Sequence, residues 1–330
     1  MVLVLVAALS GCGGAVSDTG ASPAVAAGAA GSAGAPARTG GSGGAGSAGA
    51  PSGASGAPGK EIAALAASLR VAHVDPGSPA LDLCIGTLGA DGAVAYDEAP
   101  LLAALGRPQG VVYTEVSTYV PIVTGRVVRF VVAGAGCAQA AKGALGAAAT
   151  ERLTLDAGAP FGHLAPRLTI APSRRVGEGG AIVSAVGFVD EPENEQYGIH
   201  IRTLSFAHAD AFEPAAAVDL ADVDPFGATV TWFDALAYAT PPTHSPVGKV
   251  SPRGFLWRPE IQLTDLAIRA GGATFATKGK LDVPSGDGNA YGVASVFLTG
   301  DLATGDVRAI ACGDNAIGVG GLGACVVMAP

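Results

Sequence analysis

Val111-Val112-Tyr113-Thr114-Glu115-Val116-Ser117-Thr118-Tyr119-Val120 is the stretch on which a reading of the fold turns. It is rich in β-branched and aromatic residues, and Val112, Thr114, Val116, Thr118 and Val120 share one face at period two, the repeat of a strand. Pro121 to Gly125 interrupts the pattern, and Arg126-Val127-Val128-Arg129-Phe130-Val131-Val132 resumes it. The pattern predicts two strands joined by a short turn.

Outward from this pair, further strands are expected at 69–74, 80–86, 167–171 and 181–189, broken by Gly and Pro. That spacing suits an antiparallel sandwich. One short helix is expected in Ala99-Pro100-Leu101-Leu102-Ala103-Ala104-Leu105-Gly106, with Pro near its start and Gly after its end. The second half repeats the first in outline. His73 to Leu83 resembles His208 to Leu220 with two residues inserted, and Ala181 to Val189 resembles Tyr291 to Gly300. Repeats this far apart indicate duplicated domains rather than a solenoid. The acidic run Asp190-Glu191-Pro192-Glu193-Asn194-Glu195 is the expected seam between them.

Arg70-Val71-Ala72-His73-Val74-Asp75-Pro76, followed by Pro79-Ala80-Leu81-Asp82-Leu83, resembles the opening of domain-of-unknown-function family 4397. Tyr119-Val120-Pro121 to Gly125 and the strand Val127 to Val132 resemble that family's next features, and 181–187 and 291–300 its strand ending in Gly. The likeness spans most of 67–190 and, more loosely, 199–330. If Arg202 rather than His208 is matched to the first copy, Ser205 falls where His73 stands. The resemblance implies tandem domains on secreted or surface-anchored bacterial proteins and brings no catalytic residues.

The N-terminus points the same way. An apolar stretch runs into Leu9-Ser10-Gly11-Cys12, the pattern of a bacterial lipoprotein signal in which Cys12 is acylated after cleavage. It lacks the basic start of a usual secretory signal, the first Lys or Arg being Arg38. Residues 13–59 are nearly all Gly, Ala, Ser, Pro and Thr. Such a segment buries too little apolar surface to offset its ordering entropy and is expected to be a disordered tether with a reach on the order of 40 Å. Beyond Cys12 four cysteines remain, and an even number in an oxidising compartment implies disulfides. Of three possible connectivities, Cys84–Cys137 with Cys312–Cys325 is favoured, one local bridge in each half. No CxxC or nearby His-Cys spacing supports zinc.

The net charge is −9 with no Lys/Arg cluster, which speaks against a nucleic-acid partner. His73 with Asp75 and Asp82 is the most reactive-looking polar group, but an Asp-Pro-Gly turn in which Asp caps its own backbone accounts for it. Asp219, Asp222 and Asp224, or Asp282, Asp287 and Asn289, offer oxygen ligands for calcium, yet neither matches an EF-hand loop and no metal is expected. Gly318-Val319-Gly320-Gly321-Leu322-Gly323 satisfies GxGxxG without the strand and helix that a dinucleotide site needs. The possible ligand-binding loop runs from Tyr238 through His244 to Trp257, stiffened by prolines and flanked by the only two tryptophans, Trp232 and Trp257.

The expected protein is therefore all-β. It has a signal at 1–11, a tether at 12–59, and two tandem antiparallel β-sandwich, Ig-like domains at 60–192 and 193–330. It is expected to be a non-enzymatic envelope lipoprotein without a cofactor, attached to a membrane by its lipid and binding envelope or extracellular polysaccharide or protein. A structural spacer is the alternative, and a carbohydrate-active enzyme a more distant one.

Overall fold

Leu69, Leu168, Ile170 and Val183 face Leu81, Leu83, Val128 and Phe130, and this double row of fully buried side chains organises the N-terminal half. The computed structural model describes residues 66–155, 166–190, 198–210, 212–223, 228–258, 262–263, 265–282, 291–313 and 325–330. Cys12, the tether, the run 191–195, Asp224, Asp287, Asn289 and the glycine loop 318–323 lie outside them.

The N-terminal half runs β1 (Ala66–Val71), β2 (Leu81–Leu88), β3 (Val94–Tyr96), α1 (Leu101–Ala104), β4 (Val120–Val123) and β5 (Val127–Val132). It continues with α2 (Ala138–Lys142), β6 (Ala144–Leu145), β7 (Ala148–Glu151), β8 (Leu153–Thr154), β9 (Arg167–Gly177) and β10 (Gly180–Val189). The C-terminal half begins with β11 (Gly198–Asp210), β12 (Glu213–Pro214), β13 (Val218–Val223), β14 (Thr229–Leu236) and β15 (Leu256–Arg258). It ends with β16 (Gln262–Leu263), β17 (Asp265–Ala270), β18 (Ala273–Thr277), β19 (Leu281–Asp282), β20 (Tyr291–Asp301), β21 (Asp306–Gly313) and β22 (Cys325–Met328).

Each half is a pair of packed sheets, as the all-β expectation requires. In the N-terminal half an inner sheet of order β4-β1-β9-β10-β7-β6 packs on an outer sheet β3-β2-β5-β8. In the C-terminal half the inner sheet β12-β11-β20-β21-β22, with β15 also on β11, packs on β14-β13-β17-β18. Every strand pairing among the described residues stays within 66–189 or within 198–329. The two inner sheets then meet back to back through a third apolar cluster of Ala72, Val74, Ala171, Phe188, Leu204, Phe206, Phe297, Ile310 and Cys312. Both inner sheets are thus covered on both faces, which is why β11 is buried from Ile199 to His208 without a solvent-exposed side.

The outer sheets are antiparallel as expected, whereas the two inner sheets are mixed. β1 runs parallel to β9, β10 to β7 and β11 to β20. A parallel pair needs a long crossover, and the outer sheet is built within it. The stretch 111–120 is also not one strand. Val111 pairs with Leu81, at the start of β2 in the outer sheet, whereas Val116 pairs with Ala72, just past β1 in the inner sheet. Between them Thr114 takes φ 72°, a left-handed conformation that ends any extended run. A strand cannot serve two sheets without such a turn, so the local alternation is overridden. β5 forms as expected, but β4 occupies part of the stretch expected as the turn, and the two join different sheets rather than a hairpin. Pro121 is tolerated because β4 is an edge strand.

Other expectations hold. α1 is bracketed by Pro100 and by Gly106 at φ 83°. Both disulfides form as favoured: Cys84–Cys137 ties β2 to the start of α2, and Cys312–Cys325 bridges β21 and β22. Closing loops of 53 and 13 residues would stabilise the fold by about 4 and about 3 kcal/mol on the chain-entropy view.

The strand order aligns the two halves differently from the sequence. β1-β9-β10 and β11-β20-β21 share one topology, a parallel pair followed by an antiparallel one. By that register Arg70 opposite Thr169 corresponds to Arg202 opposite Ser295. Tyr291 to Gly300 therefore corresponds to β9 rather than to 181–189. The apolar run shared by those segments marks strands covered on both faces, which misleads an alignment by composition.

Candidate functional site

β11 turns Ile199, Ile201 and Ala207 into the C-terminal core and His200, Arg202, Leu204, Phe206 and His208 toward the other half. Charged residues are almost never fully buried unless paired, so the polar members of this face need partners. They find them in two clusters along the seam.

The first is built on Asp190, fully buried just past β10. Arg202 donates from Nη2 to Asp190 Oδ1 at 2.5 Å and from Nη1 to the Val189 carbonyl at 2.7 Å. Tyr119 donates its hydroxyl to Oδ2 at 2.8 Å, and Thr169 donates to the same oxygen. Arg70 lies 3.7 Å from Oδ2 and donates to Thr169 Oγ1 at 2.7 Å. The two arginines also reach aromatic faces across the seam: Arg70 lies 5.9 Å from the Phe297 ring and Arg202 5.6 Å from Phe188. The topologically equivalent arginines of the two halves thus share one carboxylate.

The second cluster gathers around Asp75, also fully buried. Arg174 on β9 donates from Nε to both carboxylate oxygens, at 3.0 and 2.8 Å, and from Nη2 to Ser78 at 2.8 Å. Ser78 and the Gly77 amide donate to Asp75 as well. From the C-terminal half, Tyr238 accepts from the Arg174 amide at 3.0 Å and donates to its carbonyl at 3.1 Å. His208 Nε2 lies 3.2 Å from the same hydroxyl, and Phe212 stacks under the Arg174 guanidinium at 5.1 Å. His73 bonds through Nε2 to the Pro79 carbonyl at 2.8 Å, edge-on to Tyr113. The Tyr113 hydroxyl lies 3.5 Å from Thr299, which in turn donates to the Val74 carbonyl across the seam. Burial holds both histidines below the usual imidazole range, against the opposing pull of the Pro79 carbonyl and Asp75 on His73 and of Asp75 and Asp301 on His208. Burial likewise pushes Tyr238 up to about 12.

The sequence-based candidates scatter. His73 and Asp75 belong to the second cluster, and Asp75 makes the expected Asp-Pro-Gly turn. Asp82 stands apart and caps α1, accepting from the Leu102 and Ala103 amides at 2.9 Å each, with its carboxyl raised by burial. Tyr238 points into the seam. His244 is exposed, 2.8 Å from Asp234. Trp257 lies half-exposed on β15, opposite His200, whereas Trp232 is core. Asp219 accepts from the Ala235 amide at 2.8 Å. Among the described residues no group of three or more His, Cys, Asp or Glu is placed to hold a metal. One shallow cleft of about 360 Å³ opens on the seam, lined by Val112 to Val116 and by Cys325 and Val327.

Sequence reasoning missed Arg174 and Asp190 as site residues and saw Arg70 and Arg202 only as points of alignment. The available signal was an arginine inside each apolar strand of β1, β9 and β11, where an unpaired charge is untenable. No family model matches the chain, and no curated protein matches it.

Proposed function

We propose that this is a non-enzymatic lipoprotein of the cell envelope, carried at the outer membrane or cell surface by acyl chains on Cys12. On this reading residues 12–59 tether two tandem β-sandwich domains of the family 4397 kind, at 60–192 and 193–330, for binding or adhesion to polysaccharide or protein. The observation that carries it is the cysteine pairing. Four cysteines are joined two by two in the structure, leaving only Cys12, which sits in the lipoprotein pattern. Disulfides of this kind belong to oxidising compartments. The polar clusters support the non-enzymatic part, since Asp75, Asp82 and Asp190 are spent on a turn, a helix cap and an arginine pair. A spacer without a ligand is the second reading, favoured by Tyr238, whose side chain fastens the seam instead of facing outward.

Labelling cells that express the chain with an alkyne fatty acid tests the anchor. Label and membrane partition in the native chain, both lost in Cys12→Ser, are expected; label retained in Cys12→Ser overturns it. Melting the Cys12→Ser chain against a panel of bacterial and plant polysaccharides tests the binding. A ligand at about 100 times its Kd adds about 2.7 kcal/mol, and no shift across the panel favours the spacer.

A further inference from the structure

We infer that the Asp75 end of the seam is an acid-sensitive latch: His73 and His208, buried from opposite halves around Asp75 and Arg174, release that end when they take up protons. The inference does not depend on the anchor or on any ligand.

The hydrogen-bond geometry leads to it. The Pro79 carbonyl can only accept, so His73 carries its neutral proton on Nε2 and presents a bare Nδ1. Tyr238 spends its own proton on the Arg174 carbonyl, so it accepts from His208 Nε2 and leaves that ring with a bare Nδ1 too. Neither Nδ1 has a partner of hydrogen-bond geometry. Protonation therefore creates two buried N–H donors that have only backbone carbonyls nearby, of His73 and Ser78 at one ring and of Gly300 at the other, short of hydrogen-bond geometry, and adds two charges to a site already balanced by Asp75 and Arg174.

The groups facing His73 are Asp75 on its own turn and Tyr113 from the 112–116 segment, behind which stand Arg308 and Asp306 of β21. Those facing His208 are Asp75, Arg174 of β9, Tyr238, Phe212 and, at the end of β20, Asp301. The attraction of Asp75 and Asp301 opposes the burial of the new charges and is the smaller effect at both rings. A ring whose folded value lies below 6.5 is protonated more in the open state, so stability at this end is present above about 6.5 and lost as pH falls. Each histidine contributes up to about ten-fold per pH unit to the opening constant, and the two together up to about a hundred-fold. The Asp190 end retains its arginine pairs and acts as the hinge.

Amide hydrogen exchange on the full-length Cys12→Ser chain, at pH 7.5 and 5.0 and corrected for intrinsic rates, tests the latch. The amides of Gly77 and Arg174 should lose protection at pH 5.0 by one to two orders of magnitude. Those of β2, β5 and β17, and of Asp190, should not. In H73Q/H208Q the two pH values should match. Three results overturn the inference: no change in the native chain, equal loss everywhere, or an unaltered acid response in the double variant. The last would shift the cause to His200, the third buried histidine of this face, or to carboxylates. Should the double variant not fold, magnetic resonance titration of the native histidines decides. Midpoints below 6.5 that coincide with exchange at Arg174 support the latch, and midpoints at or above 6.5 overturn it.

Discussion

The two ends of the seam solve one problem with different chemistry. At the Asp190 end two arginines, two hydroxyls and a carboxylate meet, and the donors come from four separated segments: β1, Tyr119, β9 and β11. At the Asp75 end the carboxylate is served first by its own turn, through Gly77 and Ser78, and then by Arg174. The C-terminal half enters there through neutral groups, Tyr238, His208, Phe212 and Thr299. One end is thus held by a charge pair that crosses between the halves, the other by neutral hydrogen bonds laid over a pair that is already complete. A charge pair binds more strongly and is more damaging to break, whereas neutral partners leave an end free to respond to conditions.

That contrast is most directly broken at Asp190. Asp190→Ala removes the carboxylate shared by the buried Arg70 and Arg202, and removing one partner of a buried pair costs about 3–5 kcal/mol. A loss of that size in denaturant titration is expected; a loss below about 1 kcal/mol would make the two ends equivalent. Arg174→Met is expected to cost less, about 1.5–3 kcal/mol, the range for a hydrogen bond to a charged group. Asp75 keeps the Gly77 amide and Ser78 in that variant. The difference between the two midpoints measures how much of each carboxylate is secured locally.

The same contrast separates what could be read in the sequence from what could not. The Asp75 turn and α1 with its Pro and Gly are local, and residue order alone exposes them, whereas the cysteine pairing is only the favoured one of three connectivities in the sequence. The run 111–120 looked like one strand because alternation reports a preference for extended backbone without saying which sheet will supply partners. Here Leu81 and Ala72 supply them from two sheets, and the chain turns at Thr114 between. Asp190 was visible only as the first residue of an acidic run, and nothing nearby marks it as the partner of Arg202 and Arg70. Long-range pairing of β1 with β9 and of β11 with β20 leaves no periodic trace. The mixed sheets and the shared carboxylate therefore had to wait for the structure.

Smaller changes test whether the Tyr238 hydroxyl is what links the second end. Tyr238→Phe keeps the ring contacts with Phe206 and His208 and removes only the hydroxyl. The Arg174 amide and carbonyl and His208 Nε2 each lose a partner, so about 1 kcal/mol is expected, near the net worth of one hydrogen bond, because water can enter an end that opens. A loss as large as that of Asp190→Ala would mean that the end is sealed rather than hinged. His244→Ala is the reference for both. His244 is exposed and its partner Asp234 is solvated, on a loop away from either cluster, so the midpoint should move by no more than about 0.5 kcal/mol. If it moved as far as Tyr238→Phe, the energy assigned to the seam would belong to the 238–257 loop as a whole, and the two-ended description would fail.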